Sequence, residues 1–371
     1  MMYYFIIGAF ALLLSFYPYF VWAVPFSPTG ISTLILFFLF LLHFKIKKET
    51  IFFSFLITLL YVFLSLKGGY SIFGILSLLM LCMLFYTDKQ FIADLFVSFS
   101  KIYAVLMGIS FIMYIIVVIL GISIPHTEIQ ALNPEKIGFV TYYKYPFLIV
   151  ADSFNFLKYR FSGFFDEPGV VGTISAVSLL TNRFDLRKWY NIIILIVGIF
   201  SMSLYFIVLI FIFFFFQTSV KYKFLFGLVS IILLFLFSKS EVINDLLFRR
   251  FNLSNGSWDN RNHMATGWYE AFMNSPNYLV GYGTGASQIY NSGGSSYKNI
   301  IIDHGFIFFF SYVMIFVFYG MKVLKNNKDK FLYVVIFSSI LFQRPYIDNV
   351  GYLFLMFAPI CVLCNNDFDE K

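Results

Sequence analysis

The chain has 371 residues, of which 60% are hydrophobic and only 12% charged, with a formal net charge of +7. A mean hydropathy of +0.83, with half the charge density of a soluble protein (about 25% charged), excludes an ordinary soluble globular domain. The positive balance does not point to nucleic acid, because the basic residues cluster in short segments between apolar runs, where membrane orientation accounts for them.

A bilayer core about 30 Å thick takes roughly 20 apolar residues as a helix. Runs of this kind predict an all-α, polytopic membrane protein with about twelve spans, near 2–24, 30–44, 51–66, 68–86, 102–124, 165–181, 190–200, 202–217, 224–238, 303–320, 331–343 and 348–364. The first run has no basic segment ahead of it and no small-residue cleavage pattern before Pro25, so it reads as a helix rather than a signal peptide. Lys45, Lys47 and Lys48, then Arg183, Arg187 and Lys188, then Lys221 and Lys223, and finally Lys322, Lys325, Lys328 and Lys330 mark four short loops that belong on the cytoplasmic side. A single helix over 190–217 would put Arg183 and Lys221 on opposite sides, so two passes or one re-entrant pair, broken near Ser201-Met202-Ser203, fit better. The result is a single membrane domain, 1–371, with both termini cytoplasmic and two long extracytoplasmic loops, about 125–164 and 239–302.

Ionisable groups cost a few kcal/mol or more inside a bilayer, so ion-coupled transporters reveal themselves through intramembrane charges. Here only His43, near a helix end, and the boundary residues Glu167, Asp303, His304 and Asp348 come close, and no internal repeat is evident. Cys82, Cys361 and Cys364 all fall in predicted spans, and the Cys361–Cys364 pair reads as lipid-facing filler rather than a redox or metal site.

Polar residues gather in the two outer loops. The first ends in Lys158-Tyr159-Arg160-Phe161-Ser162-Gly163-Phe164-Phe165-Asp166-Glu167-Pro168; Pro168 suits the first turn of a helix, which leaves the Asp166 and Glu167 carboxylates where the helix dipole favours them. A charged cap is the plain structural explanation. The second loop carries Arg249-Arg250, Asn260-Arg261, Trp268, the turn Gly281-Tyr282-Gly283, and Asp303-His304-Gly305, where a span begins. Arginine forks grip phosphate oxygens bidentately, which suits a lipid diphosphate, although binding lipid headgroups would explain them equally. Tyr142, Tyr143, Tyr145 and Trp268 could stack on sugars or anchor the interface.

The stretch from Arg160 to Pro168 resembles the R-x-x-G-x-F-x-E-P segment of bacterial O-antigen polymerases, within the O-antigen polymerase and ligase superfamily, and Arg261, Gly281-x-Gly283 and Asp303-His304-Gly305 continue the likeness. Ligases of this pattern carry a His ahead of the glycine that opens the late span, whereas residues 286–302 contain none.

The resemblance implies a metal-independent glycosyltransferase without a cofactor, in the bacterial plasma (inner) membrane. Its substrate would be undecaprenyl-diphosphate-linked oligosaccharide, its surroundings membrane lipids, and its pathway partners a flippase and a chain-length regulator. Glu167, Arg160, Arg261, Asp166 and His304 would be catalytic, with Glu167 the first choice of base. Lys158, Arg249, Arg250, Asn260, Trp268, Gly281, Gly283 and Asp303 would bind substrate. A ligase, or a flippase of lipid-linked oligosaccharides, stays open as an alternative.

Overall fold

The apolar runs fold, with few exceptions, into the helices expected of them. The structure, a computed structural model, describes residues 2–25, 27–68, 72–130, 140–152, 159–217, 269–289 and 297–369. The expected span 224–238 and the residues Lys158, Arg249, Arg250, Asn260, Arg261 and Trp268 lie outside this set.

The described helices are α1 (Met2–Ser15), α2 (Pro28–Leu42), α3 (Lys48–Gly68), α4 (Ile72–Tyr86), α5 (Lys89–Tyr114, extended by a π turn to Ile119), α6 (Pro168–Thr181), α7 (Trp189–Phe200), α8 (Leu204–Gln217), a short α9 (Ala286–Ile289), α10 (Tyr297–Val323), α11 (Asn327–Gln343) and α12 (Val350–Asp369). The chain is thus mainly helical. Among the described residues two helices, Lys89–Ile119 and Tyr297–Val323, are long and apolar enough to cross a membrane; the other apolar helices there are shorter.

Three boundaries differ most from the sequence reading. The span expected at 102–124 runs from Lys89 to Ile119. The first run stops at Ser15, because Tyr17 takes a left-handed φ of 54° ahead of Pro18, which cannot continue a helix. The late span starts at Tyr297 rather than 303 and is interrupted at Gly305 (φ 83°, ψ 168°). The stretch 190–217 divides, as expected, into two helices, with Met202 at φ 46° in the turn between them.

Within the stretch expected as the first outer loop the chain builds a sheet that was not anticipated, of order β1-β2-β3. Strands β1 (Thr127–Gln130), β2 (Thr141–Tyr145) and β3 (Leu148–Asp152) pair antiparallel, with Tyr143 opposite both Glu128 and Val150. The Tyr, Ile and Val residues of these strands are types that suit a pleated surface.

The chain divides into two compact units: Met1–Tyr17, Ala23–Ile102 and Arg261–Lys371 form one, and Pro18–Trp22 with Tyr103–Asn260 the other. In the first, α12 is the central helix, buried from Val350 to Leu363. Gly351 lets it approach α1 so closely that a Cβ there would lie 2.2 Å from Ser15 Oγ, and Gly320 on α10 leaves room for the Tyr333 ring of α11. Small residues at such crossings are the usual device of membrane helix packing. Cys361 is fully buried in this centre, which corrects its reading as lipid-facing: the helix that carries it is surrounded by the others. On outward faces, by contrast, large apolar side chains such as Phe38, Phe55, Leu59, Phe310 and Phe318 stand exposed.

In the second unit, α6 is a buried run of small and β-branched residues packed on α7 and α8. Gly172 meets Ser203 of the α7–α8 turn, and Gly198 the Phe206 ring.

Candidate functional site

The residues singled out in the sequence fall into two groups, one in each unit. The first is Arg160, Asp166 and Glu167. Ahead of α6 the chain is held by main-chain bonds: Ile149 N–H of β3 donates to Gly163 O (2.9 Å), Tyr19 N–H to Phe164 O (2.9 Å) and Phe161 N–H to Phe200 O (2.9 Å). Phe161, Phe164 and Phe165 are fully buried. Gly163 turns at φ 61°, where a side chain would run into Met107.

Arg160 is buried too, and its guanidinium faces the α7–α8 turn, Nε donating to Ser201 O (3.3 Å) and Nη2 to Met202 O (3.4 Å). Both carbonyls are helix-end acceptors at α7, so the cation satisfies groups that an apolar environment would leave unpaired. Asp166 O accepts from the Tyr142 hydroxyl at 2.8 Å. Glu167 occupies the N-cap of α6 with extended backbone (φ −138°, ψ 131°) and Pro168 follows at the first helical position, but its side chain makes no capping bond. Tyr142 and Tyr145 are buried, Tyr142 against Ile149 and Trp22, so neither ring is open for stacking.

The second group is Gly281, Gly283, Asp303 and His304, assembled around the break in α10. A helix interrupted at Gly305 exposes carbonyls on one side and N–H groups on the other. The segment 278–283 satisfies both sides: Phe306 N–H donates to Tyr278 O and Ile307 N–H to Leu279 O (both 3.0 Å), while Tyr282 N–H donates to Ile302 O and Gly283 N–H to Asp303 O (both 2.9 Å). This approach requires glycines. A Cβ at Gly281 would lie 2.4 Å from Asp303 O, and one at Gly305 would lie 2.4 Å from Leu279 O.

The break turns two ionisable side chains toward a cavity of about 500 Å³. Asp303 is committed on both oxygens: Oδ1 accepts from Ser287 N–H (2.6 Å) and Oδ2 from Ser287 Oγ–H (3.0 Å), with a further bond from Gly285 N–H. It thereby clamps the start of α9. His304, buried and packed against Phe308 with ring centroids 5.0 Å apart, lines the cavity and has no hydrogen-bond partner among the described residues.

A second carboxylate, Asp348, lines the same cavity. It sits between α11 and α12, beside Asn349, whose side chain caps α12 by accepting from Gly351 N–H (2.9 Å) and Tyr352 N–H (3.3 Å) and donates to Ser15 O (2.7 Å). The Ser77 hydroxyl donates to the main-chain carbonyl of Asp348 at 3.1 Å and also bonds its carboxylate. Asp348 stands exposed where it opens onto the cavity; desolvation by the protein around it, and secondarily the charge of Asp303, push its carboxyl up to about 6. In the sequence Asp348 reads only as a boundary residue, since Asp-Asn ahead of an apolar run is a routine cap signature.

Chemically, the cavity offers two carboxylates, an imidazole and several hydroxyls and amides to a ligand rich in hydrogen-bonding groups. No protein-family model matches the chain, and neither a curated protein nor a solved structure does.

Proposed function

We propose that this chain is a multi-pass membrane polymerase of lipid-linked oligosaccharide repeat units, with about twelve spans, both termini cytoplasmic and its chemistry on the outer face of a bacterial plasma membrane. The exposed Phe and Leu side chains of the outward faces and the two membrane-length helices support the embedding. The observation that carries the function is the polar cavity at the α10 break. Asp303 and His304, from one of the segments that resemble O-antigen polymerases, line a chamber of about 500 Å³ within a largely apolar helical unit. That volume is within the range of about 300–1,000 Å³ usual for small-ligand sites. Irregular backbone at membrane depth is tolerated where it lines a cavity, so such a chamber is where a membrane protein handles a polar substrate.

The reaction is displacement at an anomeric carbon: the growing glycan moves from polyprenyl diphosphate to a sugar hydroxyl of the incoming unit. Negative charge builds on the departing diphosphate, and fixed cations answer it; loss of a comparable donor costs roughly 3–4 kcal/mol of transition-state stabilisation. Arg249, Arg250 and Arg261 of the second loop are assigned that part. Arg160, with its donors on the α7–α8 turn, supports the segment ahead of Glu167. The proton of the attacking hydroxyl goes to a carboxylate, for which the resemblance offers Glu167, Asp166 and Asp303.

The test is gel analysis of surface polysaccharide from a strain lacking the gene and from the complemented strain. Loss of the polymer ladder with a single repeat unit retained is the expected result. Loss of every repeat unit would move the assignment to a ligase or a flippase, and an unchanged ladder would overturn it.

A further inference from the structure

The cavity at the α10 break differs from what a diphosphate needs. Its described lining holds two carboxylates, Asp303 and Asp348, and no Lys or Arg. Fixed negative charge repels an anionic ligand but accepts hydrogen bonds from neutral hydroxyls. Tyr17 and Tyr346 add aromatic faces to that lining, and the His304 imidazole, more than nine-tenths buried and without a hydrogen-bond partner among the described residues, faces the cavity ready to donate or accept one bond. An unpaired buried polar group is costly, and a polar ligand would recover that cost.

Of the two carboxylates, Asp303 has its oxygens occupied by Ser287 and Gly285. Among the described residues, Asp348 has only the Ser77 hydroxyl on its carboxylate and is otherwise open to the cavity. Resting on the polymerase reading, we infer that this cavity is the acceptor site, which takes a neutral sugar, and that Asp348 is the catalytic base there, a residue the family resemblance does not offer. In the step, the Asp348 carboxylate removes the proton of the acceptor hydroxyl as its oxygen forms a bond to the anomeric carbon of the growing glycan. The bond from that carbon to the diphosphate oxygen breaks, and the electron pair leaves with the polyprenyl diphosphate. The proton stays on Asp348 until solvent removes it. Donor diphosphate and acceptor sugar thus meet groups of opposite charge.

The elevated Asp348 carboxyl fits a base that must hold and release a proton near neutrality. The other titratable groups lining the cavity are Tyr17, Asp303, His304 and Tyr346.

The experiment uses membranes from the gene-deletion strain, complemented with variants at matched abundance and supplied with that strain's own accumulated lipid-linked repeat units; chain growth is followed on gels from pH 5 to pH 9. Wild type is expected to show a rate that rises through about pH 6. Asp348→Asn should lose about 10²–10⁴-fold in rate, the range for removal of a general base. Ser77→Ala removes a bond to the ionised carboxylate, so its acidic limb should move to higher pH, whereas a merely structural role for Asp348 would leave the limb in place. Asp348→Asn polymerising within about threefold of wild type overturns the inference and leaves the polymerase reading standing. Should that variant fail to accumulate, an unmoved limb in Ser77→Ala overturns it instead. Wild-type membranes that form no polymer overturn the polymerase reading itself.

Discussion

Replacing Gly305 by Ala tests whether the break in α10 is built or incidental. At φ 83° and ψ 168° this residue lies in a region essentially reserved for glycine, and holding an L side chain there costs about 1–3 kcal/mol. The added methyl would also sit 2.4 Å from Leu279 O and 2.5 Å from the Cα and carbonyl carbon of Val280, all main-chain atoms that cannot rotate aside. Backing the segment away gives up main-chain bonds of the set Phe306–Tyr278, Ile307–Leu279, Tyr282–Ile302 and Gly283–Asp303, each worth about 1 kcal/mol net. With two of the four lost, the total is about 3–5 kcal/mol. Gly283→Ala is the internal control: it too has positive φ (112°), but nothing lies within 4 Å of its Cβ position, so only the conformational cost of about 1–3 kcal/mol applies. Reversible unfolding in mixed micelles would measure both, with the double variant Gly281→Ala/Gly305→Ala expected to cost less than the sum of the singles, because both methyls strike the same joint. If Gly305→Ala proves no more destabilising than Gly283→Ala, the account of the joint is wrong.

Three further outcomes are expected. Arg160→Ala should lower stability by about 1.5–3 kcal/mol, the worth of a charge-assisted hydrogen bond, since Ser201 O and Met202 O lose their donor; unfolding of the variant beside Arg160→Lys would measure it, and an unchanged stability with lost activity would return Arg160 to the diphosphate. Asp303→Ala should free α9 and expose the Ser287 region to limited proteolysis, while Asp303→Asn, which keeps one acceptor, should protect it partly; equal digestion of all three proteins would dismiss the clamp. The third concerns pH. Because the Asp348 carboxyl is raised in the folded chain, its ionisation costs more there than in the unfolded chain, and stability falls as pH rises from the ordinary carboxylate range through about 6. Asp348→Asn should therefore melt above wild type at pH 8 and together with it at pH 4; a constant difference across that range would contradict the desolvation argument.

The helical framework was legible in the sequence because long apolar runs leave few alternatives, and the break between α7 and α8 followed from charge placement alone. The sheet was not, since Thr127–Gln130 and Thr141–Tyr145 are short, polar and separated, and their pairing is a long-range matter. The packing of Arg160 was hidden for a similar reason: two of its acceptors, Ser201 O and Met202 O, are carbonyls about 40 residues onward. Gly281 and Gly283 read correctly as a backbone turn, but their partner at Gly305 is set by main-chain geometry that no side chain advertises. Asp348 was passed over because a carboxylate beside a helix cap is ordinary; only its shared cavity with Asp303 and His304 sets it apart.

The joint at Gly305 is gripped by peptide groups, while the side chains of Tyr278 and Leu279 remain over a third exposed. Recognition by backbone leaves those side chains without a stake in the fold. The same architecture could therefore present almost any chemical face along this rim, so that a change of specificity there would need no change in the scaffold that holds it.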